Sequence, residues 1–299
     1  MSKSVYDIQN ESILLKCIAA QREEYSICKK IGKFKFVLSV IIVTIFTIIT
    51  SVTKNNIVSS VSVVFAFLLI IVNRVFNDYI AKKKNHAADI QQYIDVKIYS
   101  KVTEHNCEEW GTIISDSQIA ESTTNISQNK MDDVRNWYSD YSKFDPMWQV
   151  FYCQKENLRW DSKLKKEYKW FISIVSTIIF LILIMLSIAI NPTVLSCISV
   201  IAWIFPVADY TYSVYRELCD EAERFKNMQM ENENIDILLN NNEYRLAYFK
   251  QIELQRKIWN NRKNSILVPD WFYKKRKDKH QHAEDSIAEN TAAIKSEEQ

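Results

Sequence analysis

The chain has 299 residues but only two glycines, Gly32 and Gly111, which leaves no Gly-x-Gly-x-x-Gly turn and no Walker loop. Rossmann and P-loop chemistry are thereby excluded, and a formal charge of +2 argues against a dedicated duplex-DNA binder. Hydrophobic residues make up 47% of the chain while mean hydropathy is −0.19, so the apolar residues are gathered in blocks.

In chain order, residues 1–35 predict a cytoplasmic amphipathic helix with Ile8, Leu15, Ile18, Tyr25 and Cys28 at helical spacing and Asn10 or Ser12 as a cap. Residues 36–72 predict a first transmembrane hairpin. Its first arm, residues 36–53, is uncharged and long enough to cover about 27 Å, close to a hydrocarbon core of about 30 Å. Lys54, Asn55 and Asn56 form the tip, and a second uncharged arm runs over 57–72. Residues 73–169 predict a cytoplasmic helical connector that continues the second arm through Phe76, Ile80, Ala87, Ile90 and Ile94. Within it, 111–130 is rich in Ser, Thr and Asn and reads as a loop or poorly ordered excursion.

Residues 170–208 contain no charge and predict a second hairpin divided by Asn191-Pro192, with Pro206 kinking its last helix. Residues 209–273 predict a cytoplasmic helical region, broken at Asn240–Asn242 and resuming from Tyr244. Residues 274–299 are charged and read as a disordered tail. Its basic start suits either anionic headgroups or plain solvation. The expected fold is an all-α integral membrane protein, four transmembrane helices in two hairpins with a helical cytoplasmic region.

Orientation follows from the lysines and arginines beside the spans. Lys29, Lys30, Lys33 and Lys35 precede the first, Arg74 and Lys82–Lys84 follow the second, Lys163, Lys165, Lys166 and Lys169 precede the third, and Arg216 follows the fourth. The tips carry Lys54 alone, so both termini and the connector are expected inside. Cys17, Cys28, Cys107, Cys153 and Cys219 then face a reducing compartment, Cys197 lies in a span, and no Cys-x-x-Cys pair suggests a disulfide framework or zinc knuckle.

No catalytic motif is present. The four histidines, His86, His105, His280 and His282, form no metal-binding spacing, and His105 with Cys107 and Glu108 would point to different helix faces. No cofactor or metal is implied. The aromatic and basic residues are instead concentrated. Trp137, Trp148, Trp160 and Trp170 lie among Arg135, Tyr138, Tyr141, Arg159, Lys163, Lys165 and Lys166, with Trp271 and Tyr273 in a second group. Aromatic stacking with Arg or Lys on phosphate is how proteins grip small nucleotides, which makes Arg135, Trp137, Tyr138, Arg159, Trp160, Lys163, Trp271 and Tyr273 the candidate ligand residues. A juxtamembrane belt or ordinary core uses the same residue types; Trp160 and Trp170 fit that reading better, and for Arg135, Trp137 and Tyr138 both stay open. Within the first span, Thr44, Thr47 and Ser51 make a polar stripe suited to helix packing or, in an assembly, to lining a wet path.

The chain resembles the SMODS-associated four-transmembrane effectors of bacterial anti-phage (CBASS-type) systems that signal through cyclic oligonucleotides. The resemblance rests on Ile8-Gln9-Asn10, Ala19-Ala20-Gln21-Arg22 and Tyr25 before the first span, and on Asp133 with Trp137-Tyr138 in the connector. It extends through Cys153 to Asp161, Leu164 to Tyr168, and the closing Val268-Pro269-Asp270-Trp271-Phe272-Tyr273. It implies abortive infection: a companion nucleotidyltransferase makes a cyclic nucleotide, the cytoplasmic part binds it, and the protein oligomerises to disrupt the inner membrane. The expected partners are a cyclic oligonucleotide, further copies of the chain, inner-membrane lipid and, functionally, the cyclic-nucleotide synthase. A membrane scaffold recruiting a cytoplasmic protein, or a small solute transporter, are the competing readings; the latter lacks a midplane carboxylate.

Overall fold

The structure is a computed structural model describing residues 3–53, 56–111, 114–190 and 194–297, with backbone only at 107, 190 and 194–200. Of the expected hairpin tips, Lys54, Asn55 and Asn191-Pro192 lie outside the described residues, as do the side chains of Cys107 and Cys197, while Asn56 opens the next helix. Among the described residues every regular element is helical.

α1 (Val5–Gln9) and α2 (Ser12–Phe36) open the chain, and a π-helical stretch, Val37–Ile42, leads into α3 (Val43–Thr53). α4 spans Asn56–Thr103, and three short helices follow: α5 (Cys107–Trp110), α6 (Asp116–Thr123) and α7 (Gln128–Asp132). α8 (Pro146–Ile190) and α9 (Val194–Asn240) are again long, and α10 (Tyr244–Asn264) and α11 (Asp270–Glu297) end the chain. Among the described residues, three stretches are long and apolar enough to cross a membrane: Ser12–Thr53, Asn56–Thr103 and Pro146–Ala189. The expected fourth span falls on the first part of α9, whose side chains are only partly described.

The chain divides into two compact units. A polar unit gathers Met1–Ile27, Lys83–Leu164 and Glu221–Gln299, and an apolar unit gathers Cys28–Lys82 and Lys165–Asp220. α2, α4, α8 and α9 each contribute residues to both.

The apolar unit exposes much of what a soluble protein would bury: Ile57, Val63, Ile70, Met185 and Ile201 are all largely open. Such a surface suits lipid, where side-chain burial between helices is not driven by water. Its own packing is centred on Val40, Leu183 and Val207, with Phe36 against Tyr210.

In the polar unit, Ile8, Leu15 and Ile18 pack with Ile94 and Tyr99 of α4, Phe151 and Leu158 of α8, and Leu254 and Ile258 of α10. Segments far apart in sequence therefore share one core. Cys17, Cys28, Cys153 and Cys219 form no disulfide, and burial pushes the Cys17 thiol up to about 12.

Three sequence expectations change. The 111–130 region is not a plain loop, because Ser115 and Gln118 form a reciprocal capping box that starts α6, and Ile119 and Thr123 bury one face. The 274–299 segment is not a disordered tail through Glu297. Phe272, His280, Glu284 and Ala288 recur on one side of α11 and are buried, so this charged sequence is helical because one face is packed. At the start, the single expected helix is two: Ser4 is the N-cap of α1, Asn10 is a cap as expected but at its C-terminal end, and Ser12 begins α2. The expected break at Asn240–Asn242 is present, with Asn242 in the left-handed region (φ 61°), and Pro206 lies inside α9.

Candidate functional site

Asp95 of α4 is the hub of the polar unit. Its carboxylate receives Arg262 Nη1 at 2.6 Å, the Tyr138 hydroxyl at 2.7 Å and the Gln255 amide at 2.9 Å. Asn157 donates to Tyr138 Oη at 2.8 Å, and Tyr99 and Tyr138 share a hydrogen bond of 3.2 Å. Burial, with Asp95 beside them, pushes both tyrosine hydroxyls well above their ordinary range, so they remain donors. This lattice satisfies a buried charge pair and joins α4, α8, α10 and the 133–145 connection. Tyr138, a candidate ligand residue by sequence, is thereby a buried part of the core.

A second construction lies at the α10–α11 junction. Glu221 of α9 accepts from the Ser265 hydroxyl, from Ile266 N at 3.3 Å and from the Asn261 amide at 3.4 Å. Lys84 of α4 donates to Ser265 O at 3.2 Å, and Ser26 of α2 donates to Asp270 Oδ2 at 3.2 Å. Trp160 of α8 sits with its ring centre 6.4 Å from that of Tyr273 and 5.4 Å from that of His280. Residues 265–273 thus touch all four helices that continue out of this unit. Each contact lies within a few residues of the place where its helix leaves: Ile27, Lys83, Leu164 and Glu221. Pro269 O then accepts from Phe272 N and Tyr273 N, both at 3.0 Å, which starts α11.

From this junction α11 runs back along α8. Arg159 donates through Nε (3.1 Å) and Nη2 (2.6 Å) to Glu284 Oε2. Ser139 N donates to Glu156 Oε2 at 3.2 Å, and Ser139 Oγ to Asp285 Oδ1 at 2.9 Å. Glu156 is buried, and burial pushes its carboxyl up to about 8, with the neighbouring Glu284 acting in the same direction.

The candidate ligand residues therefore divide. Arg159, Trp160 and Tyr273 come together along α8 and α11. Arg22, named in the sequence only for the family resemblance and not as a ligand residue, adds its guanidinium 5.9 Å from the Tyr273 ring centre and donates to Asp133 O at 3.3 Å. It links that cluster to the turn carrying Arg135, whose Nε meets Asp132 at 3.1 Å on the surface. Lys163 is exposed one turn beyond Trp160, and Trp271 is 55% exposed. Trp137 is partly buried and packs against the core. Ser26, Lys84, Glu221 and Ser265 were missed, because single polar residues 44–244 positions apart leave no local pattern.

In the apolar unit, Thr44 is buried and Thr47 Oγ1 returns to Val43 O at 2.8 Å. Ser51 accepts from Trp203 Nε1 of α9 at 3.1 Å, so this end of the stripe joins two helices. A separate cleft of about 350 Å3 is lined by Glu231, Asn234, Ile237, Leu238, Lys250, Glu253 and Lys257. Its lysines already face Glu253 and Glu231, a poor match for a polyanion.

These features define an all-helical membrane protein with a distinct polar unit built around a buried charge pair and a four-helix junction. Neither a curated protein nor a solved structure matches the chain. The family model described as SMODS-associating 4TM effector domain matches residues 3–291, and the chain belongs to that family. It is accordingly an effector associated with SMODS systems, functionally linked to a cyclic-nucleotide synthase pathway.

Proposed function

We propose that the protein is a non-enzymatic membrane effector gated by a cyclic oligonucleotide, with the polar unit and both termini in the bacterial cytoplasm. The nucleotide binds on the face formed by Arg22, Arg159, Lys163, Trp160 and Tyr273, with Arg135 at its rim; Trp271, on the opposite side of α11 from Tyr273, lies outside it. Stacking on the two aromatic rings and guanidinium contacts to phosphate supply the recognition. The observation that carries this reading is the Ser265–Tyr273 segment. It adjoins the proposed face, bonds to α2, α4 and α9 and lays Tyr273 beside Trp160 of α8, close to the points where the four helices leave the polar unit. A ligand that pulls Arg159 from Glu284 or reorients Tyr273 would alter those four attachments together.

Gating requires that the nucleotide bind the active arrangement more tightly than the resting one. Assembly with further copies in the inner membrane, followed by permeabilisation, is the proposed output. In that assembly the Thr44, Thr47 and Ser51 stripe either exchanges packing partners or lines the lesion.

The test is binding of fluorescent cyclic di- and trinucleotides to the full chain in detergent. Arg22→Ala and Arg159→Ala should each weaken the preferred ligand at least about tenfold, the scale of a lost charge-assisted contact. Glu284→Gln, which frees Arg159, should not weaken it. Undiminished affinity in both arginine variants overturns the proposed face.

A further inference from the structure

The outward side of α11 differs in composition from its packed side. Trp271, Lys274, Lys275, Asp278 and His282 follow at i, i+3, i+4, i+7 and i+11, one helix face, with Lys279 at its edge; all six are exposed. The opposite face carries Phe272, His280, Glu284 and Ala288 and is buried. Lys274, Lys275 and Lys279 make no ion pair among the described residues; Asp278 is the one acid among these six residues, and Asp285 and Glu289 follow further along the same side. The face thus combines a half-exposed indole with a net positive charge that the protein does not neutralise.

Its position is as informative as its composition. Asp270, one residue before Trp271, is bonded to Ser26, and Ser265 is bonded to Lys84 and Glu221. The first turn of α11 therefore lies at the end of the polar unit where the helices pass on to their apolar stretches. An indole ring suits the boundary between headgroups and water, and unpaired lysines there attract anionic lipid.

We propose that Trp271, Lys274, Lys275 and Lys279 form a binding face for the anionic headgroups of the surrounding leaflet. It is distinct from the nucleotide face, which uses the side of α11 turned toward α8, and it does not depend on nucleotide gating.

The experiment uses the full chain in nanodiscs of phosphatidylcholine with increasing phosphatidylglycerol, every disc holding the same small fraction of headgroup-spin-labelled lipid. The Trp271 signal is obtained as the difference between the wild type and Trp271→Phe. Quenching should rise with the anionic fraction and weaken with salt. Each of Lys274→Gln and Lys275→Gln should raise the half-saturating fraction about fivefold, equivalent to about 1 kcal/mol per lysine near an anionic surface. Lys274→Glu/Lys275→Glu/Lys279→Glu, changing only exposed residues, should abolish the dependence. Equal quenching in zwitterionic discs, or no change in the triple variant, would overturn the proposal. Displacement by inorganic phosphate or a cyclic oligonucleotide would also overturn it, showing a site for soluble phosphate. Nucleotide binding in lipid-free detergent reports separately on the proposed function, so failure of one does not mimic failure of the other.

Discussion

Replacing Asp95 by alanine should cost the polar unit most of its stability. Its carboxylate is 1% exposed and faces a guanidinium that is 6% exposed, with 2.6 Å between Oδ2 and Nη1. Removing one member of such a pair leaves a buried charge unmatched, a loss of about 3–5 kcal/mol. The Tyr138 hydroxyl and Gln255 amide lose the same acceptor. At about 1–3 kcal/mol for each orphaned donor, the total reaches roughly 5–10 kcal/mol. That approaches the whole folding stability of an ordinary domain, about 5–15 kcal/mol. Asp95→Leu/Arg262→Met should recover several kcal/mol over Asp95→Ala, since it removes both charges. The assay is thermal melting of the detergent-solubilised chain followed by tryptophan fluorescence. A loss of 5 kcal/mol corresponds to a shift of about 10–20 °C for a unit of this size. An Asp95→Ala midpoint within about 3 °C of wild type, less than the charge term alone would give, would refute the reasoning.

Tyr138→Phe should lower stability by about 1–3 kcal/mol while the folded protein keeps its nucleotide affinity, because the hydroxyl is used inside the core; a selective affinity loss would contradict this. Glu156 has a folded pKa of about 8 against an ordinary 4.5, so the native state holds its proton where the unfolded chain has lost it. Its contribution is fully present below about pH 4.5 and declines as pH rises toward 8. Glu156→Gln should therefore flatten this decline and exceed wild-type stability by a few kcal/mol above pH 8, at about 1.4 kcal/mol per pKa unit; parallel melting curves from pH 5 to 8 would count against it. Glu284→Gln should speed amide exchange along α11 about fivefold, the scale of a partly exposed ion pair, and leave α10 protected. Equal acceleration in both helices would mean that α11 is not independently held.

The apolar blocks and the helical spacing around Ile94 or Leu254 reveal themselves locally, because burial repeats with the period of the helix. The Asn240–Asn242 break is equally local: three short polar side chains favour a turn over continued helix, and Asn242 supplies the left-handed residue. α11 was missed because its inward face carries His280 and Glu284, whose partners Trp160 and Arg159 lie 120–125 positions away in sequence. The four-helix junction was hidden for the same reason, since Ser26 and Asp270 lie 244 positions apart. At the candidate site, Arg159, Trp160 and Tyr273 could be named from their chemistry. The exclusion of Tyr138 and the addition of Arg22 required the packing, because an aromatic residue beside an arginine has the same local signature in a core and on a binding face.

The most direct measurement of the central claim is dye release from vesicles containing the full chain, on addition of each member of a cyclic oligonucleotide panel. One member should trigger release, and Ser26→Ala/Asp270→Asn should bind it with unchanged affinity while releasing less dye, since its α2 attachment at the junction is cut. Vesicles that stay sealed while the wild-type protein is saturated with its nucleotide would contradict the account and leave the scaffold reading in its place.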